Sequence, residues 1–185
     1  MRQWLAATLL ACSLIGGAVA QDKPRLEMHR TAVNEPDASG WHLAVSSKGG
    51  FSVRMPIPFN DFSVHSTDSN IGDVVVHAIG AKSSEGIKFT VTENPFTPRS
   101  KVPDIGTMPD DIGRSGSKIS EVRRKTEGDL DSVSFTATGT ATSAYMRTIK
   151  TPKALYTLIL EFPNAQREVA TDLKDPFFDS FKLKN

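Results

Sequence analysis

From Gly86 to Glu93 the chain reads GIKFTVTE, and its apolar residues fall on alternate positions: Ile87, Phe89 and Val91 against Lys88, Thr90 and Thr92. Alternation sends the two sets to opposite faces of an extended strand, which predicts a sheet with one covered face. The same period recurs in FSVRMP, where Phe51, Val53 and Met55 face inward, Ser52 and Arg54 face outward, and Pro56 and Pro58 end the strand. WHLAVSS precedes it across Lys48, Gly49 and Gly50, so the two form a hairpin. FSVHST (62–67) is a further short strand, and DVVVHAIGAKS (73–83) pairs with IKFTVTE through Ser84, Glu85 and Gly86.

Strands resume with KISEVRRKTEG (118–128), SVSFTATG (132–139), SAYMRTIKT (143–151) and ALYTLILEF (154–162). The last is apolar on both parities, with Leu155 and Ile159 on one side and Tyr156, Leu158, Leu160 and Phe162 on the other. It is therefore expected at the centre of the sheet, covered on both faces. After Pro163, Asn164 is placed to cap a helix over AQREVATDLK (165–174). Val169, Leu173, Phe177 and Phe181 are spaced by four, as one helical stripe would be, but Pro176 interrupts. Two helical pieces reconcile these, with Asp175 as the second N-cap and Pro176 at its first position. Phe177, Phe178 and Phe181 then share a side and are expected to close the core over the sheet.

Two regions carry no regular period. Residues 21–40 are polar with two prolines and predict a flexible or surface-wrapping lead-in. Residues 94–118 hold four prolines and three glycines, broken by a short helix near Pro109, Asp110 and Asp111. Loops of that length tend to be functional, and this one is the expected interaction surface.

The first 20 residues set an address: Arg2, an apolar run from Trp4 to Ile15, and the small triplet Ala18, Val19, Ala20. They read as a secretory signal peptide cleaved after Ala20. A competing reading makes LLAC (9–12) a lipobox with Cys12 lipidated, a tether and not a membrane span. Cys12 is the only cysteine, so on the first reading the mature chain has none and must rely on its core, which suits a bacterial periplasm. Removing Arg2 from the 22 basic residues leaves 21 against 21 acidic ones, which is not the basic footprint of a nucleic-acid binder. The remaining residues suffice for one domain, 41–185, of α+β class.

Two stretches sharpen that class. GGFSVRMP (49–56), then ALYTLILEFP (154–163) with FFDSFKL (177–183), resemble the bacterial secreted members of the PsbP-like group. The resemblance implies a central antiparallel sheet covered by helices, an α/β/α sandwich, with a C-terminal helix closing the core. It also implies binding and assembly roles, and it brings no catalytic motif to carry over.

Candidate chemistry is sparse. Gly113, Arg114, Ser115 and Gly116 lack the G-x-S-x-G spacing of a nucleophile elbow and read as a turn. His29, His42, His65 and His77 have no metal-ligand spacing, but His42, His65 and His77 lie in predicted strands that a fold can bring together. Glu127, Asp129 and Asp131 alternate around Gly128 without completing a calcium loop and read as a polar hairpin turn. Arg123, Arg124 and Lys125 form a basic triplet between Glu121 and Glu127, either a solvated face or an anion or partner site. The sequence thus points to a periplasmic, non-enzymatic binding protein with no catalytic, cofactor or metal residues assigned. Its partner is a protein, as for an immunity-type protein, or a small ligand. The alternative is an envelope enzyme or metal-dependent factor built from the strand histidines and the acids near Asp129.

Overall fold

The computed structural model describes residues 23–31, 35–68 and 72–184. The expectations for the export segment, cleavage after Ala20 and lipidation of Cys12 lie outside them. In chain order the strands are β1 (Arg25–Thr31), β2 (His42–Val45), β3 (Phe51–Met55), β4 (Asn60–Asp68), β5 (Gly72–Lys82) and β6 (Lys88–Pro95). A 3-10 turn (Ile105–Thr107) leads into helix α1 (Met108–Arg114). β7 (Lys118–Glu127), β8 (Leu130–Thr138), β9 (Thr142–Lys150) and β10 (Ala154–Pro163) follow, then helix α2 (Arg167–Asp179) and β11 (Lys182–Leu183).

The long strands form one eight-stranded antiparallel sheet in the order β1-β4-β5-β6-β10-β9-β8-β7, and β11-β3-β2 form a second, three-stranded sheet. β10 lies between β6 and β9 and is almost wholly buried, as its apolar run on both parities predicts. On the inner face Ile79, Phe89, Val91, Leu158 and Leu160 meet β3 and α2. On the outer face Val133, Phe135 and Leu155 meet Ile105, Met108 and Ile112 from the 94–118 segment. That segment therefore seals a second core over its latter half, and only its earlier part is left as open loop. Helix is a small part of this mostly antiparallel fold, and much of the inner cover is supplied by the small sheet.

Phe177 is fully buried and meets Phe89 edge to face at 5.3 Å, while Phe178 is 4% exposed. Phe181, half-buried, stacks on Phe51 at 6.1 Å and tilts against Tyr156 at 5.6 Å, so the aromatic cluster joins both sheets. The three rings are core, as their spacing predicts.

Four expectations are corrected. Arg25–Thr31, inside the expected lead-in, is an edge strand paired with β4, because Leu26 and Met28 alternate with Arg25, Glu27 and His29 over too short a run to register as a period. Asn164 does not cap the helix; its side chain accepts from Ser143 Oγ at 2.6 Å and donates to the Gly139 and Thr140 carbonyls at 3.1 Å, tying down the β8–β9 turn. α2 runs unbroken through Pro176, and Asp175 caps nothing. Pro176 and Asp172, whose carbonyl loses a donor, both lie on the exposed side, where water takes up the acceptor. Val169 is 48% exposed, and Ala170 takes its place against the core.

Candidate functional site

The strand register builds a polar row across the inner face. Glu27 lies opposite Ser63, Ser63 opposite His77, His77 opposite Glu93, and Glu93 opposite Tyr156, one residue from each of five neighbouring strands. Same-face neighbours stand two residues apart on a strand, which adds Asp61 and His65 beside Ser63. His29, two residues from Glu27 and at a register break between Met28 and Arg30, joins the same cluster.

The deep end is structural. Glu93, 9% exposed, accepts from Gly50 N at 2.6 Å and from Tyr156 Oη at 3.1 Å. Fully buried Asp61 accepts from Ser47 N at 2.6 Å and Ser46 Oγ at 3.3 Å. Both carboxylates thus grip the 46–50 turn of the small sheet, and the turn must come close: a Cβ on Gly49 would sit 2.6 Å from Glu93 Oε2. Lys184 closes the far side, its Nζ donating to the Ser46 and Gly49 carbonyls. Burial first, and the Glu93 carboxylate next, push the Tyr156 phenol well above its ordinary value, so it stays a donor.

The middle is a serine hydroxyl held between two imidazoles. Ser63 Oγ lies 2.7 Å from His29 Nε2 and 2.9 Å from His77 Nδ1. A hydroxyl has one proton, so one ring donates to it and the other accepts from it. Burial holds the His77 imidazole below its ordinary value, His29 and His65 push the same way, and Glu93 and Asp61 oppose them. The mouth is at Glu27, whose Oε2 lies 2.9 Å from His65 Nε2 and whose Oε1 lies 3.8 Å from His29 Nδ1. The His65 contact is close but not aligned as a hydrogen bond, and Nε2 makes none. Ser63 beside two imidazoles has the partners of an activated nucleophile, yet at 1% exposure its Oγ is closed to a substrate.

Of the candidate histidines, His65 and His77 do converge, joined by His29. His42 stands opposite Met55 in the small sheet and is not in the cluster. Asp129 lies in the β7–β8 turn, and β6, β10 and β9 separate that hairpin from β5, so the histidines and the acids near Asp129 do not form one site. Glu127 is held by Lys125 at 2.7 Å and Asp131 by Lys150 at 2.8 Å, and both carboxyls are lowered by these partners. Gly113 and Arg114 end α1, and Ser115 is its C-cap. Among the described residues, no group of three or more His, Cys, Asp or Glu is arranged to hold a metal ion. One signal for the row was legible: Glu93 takes the next inward position after Ile87, Phe89 and Val91. The cross-strand register was not.

On the outer face, the open part of the 94–118 segment borders a shallow pocket lined by Val74, Asn94, Pro95, Phe96, Pro103 and Leu155. Farther along the same face Val76 lies opposite Val64, and Val64 opposite Leu26 at the sheet edge, with Val76 and Val64 themselves buried. Leu26 and Met28 are each 49% exposed.

No protein family and no curated protein sequence matches the chain. Among solved structures it is similar to the solution structure of cyanobacterial PsbP (CyanoP) from Synechocystis sp. PCC 6803, at 12% identity and a TM-score of 0.53, over 82% of this chain and 97% of that one. The fold is PsbP-like, and at this identity the likeness speaks to the fold alone.

Proposed function

We propose that the chain is an exported, non-enzymatic binding protein of the bacterial envelope that docks a protein partner on the outer face of its sheet. The observation that carries this is the exposed apolar pair Leu26 and Met28, each 49% exposed on the edge strand, with Val102 of the loop 53% exposed. Exposed apolar side chains on an edge strand are what a partner covers with gain. The inner row supports the same reading, because its buried carboxylates, Asp61 and Glu93, are engaged with the 46–50 turn. The run from Trp4 to Ile15 with Ala18 and Ala20 supports export. An immunity-type protein that shields its own envelope from a toxin is one form such a binder takes.

The test is site-specific photocrosslinking in periplasmic extract, with the reactive group at position 26, at 102 in the loop, or at 172 on the far helix. One partner should be captured from 26 and 102 and not from 172, and Met28→Asp should abolish its capture. Equal capture from all three, or none, rejects the surface. Mass spectrometry of the mature N-terminus decides between a start at Gln21 and a lipidated Cys12.

A second reading, a metal-dependent envelope factor, would use His29, His65 and His77, which converge but are not arranged as a metal site among the described residues. Stoichiometric zinc or copper in the purified chain, lost in a folded His65→Ala variant, would replace the first reading with this one.

A further inference from the structure

At the opposite edge of the large sheet lies a surface independent of the outer-face patch. β7 is ten residues long, and all but half-buried Ile119 are exposed. It pairs with β8 on one side only, and among the described residues none of its backbone groups bonds to anything else. A register break between Ser120 and Arg123, with Glu121 at φ 56°, sets off the first part of the strand. From Arg123 to Glu127 the pairing is regular, leaving an unpaired edge of alternate N–H and C=O groups.

The charges on this edge are selective. β7 carries four basic residues, Lys118, Arg123, Arg124 and Lys125, against Glu121 and Glu127. Arg124 donates to the Gly106 carbonyl and Lys125 pairs with Glu127, while Arg123 and Lys118 have no polar partner among the described residues. Arg123 and Lys125 share a face, over Ser134 and Ser132 of β8. Beyond Ser134 stands Arg147, whose guanidinium is already held by Asp179 at 3.1 Å. A second copy paired antiparallel about Arg124 would set Arg124 against Arg124 and Arg123 against Lys125. Lysine and arginine on an edge repel basic and self-pairing strands, and they leave an acidic strand as the one the edge accepts.

We propose that the Arg123–Glu127 edge takes an extended, acidic segment of a partner protein as a ninth strand, with carboxylates on alternate residues facing Arg123 and Lys125. Backbone bonds supply the pairing and the alternate charges its register.

A blocked ten-residue peptide alternating Glu with Val and Thr is the probe, read by fluorescence anisotropy and amide hydrogen exchange. Two controls accompany it, one with Lys for Glu and one with Pro at two alternate positions. The acidic peptide should bind, slow exchange in 122–127, and weaken with salt. The double variant R123E/K125E, both changes exposed and tolerated by the fold, should weaken it about tenfold or more. Absence of binding, equal binding by the Pro peptide, protection at β1 instead, or an unaffected double variant each overturns the proposal. So does concentration-dependent dimerisation that protects β7.

Discussion

The inner face of the large sheet is closed in two ways within one layer. Under α2, Phe89 meets Phe177, and Phe51, Tyr156 and Phe181 stack across the gap between the sheets. Toward the 46–50 turn, β6 and its neighbours β5 and β4 present Glu93, His77, Ser63 and Asp61. The first half excludes water without direction, while the second replaces water's hydrogen bonds one by one at fixed positions. Tyr156 belongs to both: its ring lies against Phe51 at 6.1 Å and its hydroxyl donates to Glu93. Apolar closure sets stability, and polar closure sets where the small sheet sits.

The largest effect should come from the apolar half. Phe177→Ala removes a fully buried ring, and in the cavity it leaves the neighbours Phe89 and Phe178 lose contacts outright. A loss of about 3–5 kcal/mol is expected in urea unfolding. A loss below about 1 kcal/mol would mean that α2 is not the closure.

The polar half should cost less and cost it differently. Glu93→Ala leaves Gly50 N–H and the Tyr156 hydroxyl without acceptors, at about 1–3 kcal/mol. Combined with Tyr156→Phe the losses should be less than additive, because the second change removes a group the first has orphaned. Strict additivity in the double-mutant cycle would break the network. Ser63→Ala deletes the bridge between His29 and His77 and should cost about 0.5–1.5 kcal/mol. Its clearer sign is a change in the His77 ring resonances, with the Phe177 surroundings unmoved.

The two halves were unequally legible. Phe51, Val53 and Met55, like Ile87, Phe89 and Val91, announce their face by period alone, since a pleated strand leaves two choices and burial selects one. The FFDSF rings could be assigned to core even with the helix drawn in two pieces, because Phe177, Phe178 and Phe181 cluster on one side either way. Pro176 misled because propensity is local, whereas α2 is held by Ala170 and Phe177 against the sheet. The polar row depends on which residue stands opposite which across five strands, and no local pattern records that. His29 shares a face with Glu27 by simple alternation, but β1 itself was hidden by its polarity. Likewise Gly49 and Gly50 were readable as a turn, but not as room for the Glu93 carboxylate.

The smallest effect separates the halves by pH. The folded His77 lies below its free value of 6.5, with burial as the first cause, so the unfolded chain binds the proton more readily. The contribution is therefore complete above that value and is lost as pH falls through it toward the folded pKa. The ring is half-buried, and Glu93 and Asp61 offset the push of His29 and His65, which keeps the slope shallow. Urea midpoints measured between about pH 7 and 5 should fall in the native chain and fall less in His77→Gln, which keeps a hydrogen-bonding group near Ser63. Phe177→Leu, weakened in the other half, should keep the native slope. Equal slopes in all three chains would show that acid acts through groups outside the row, and that the polar closure is as indifferent to protons as the aromatic one.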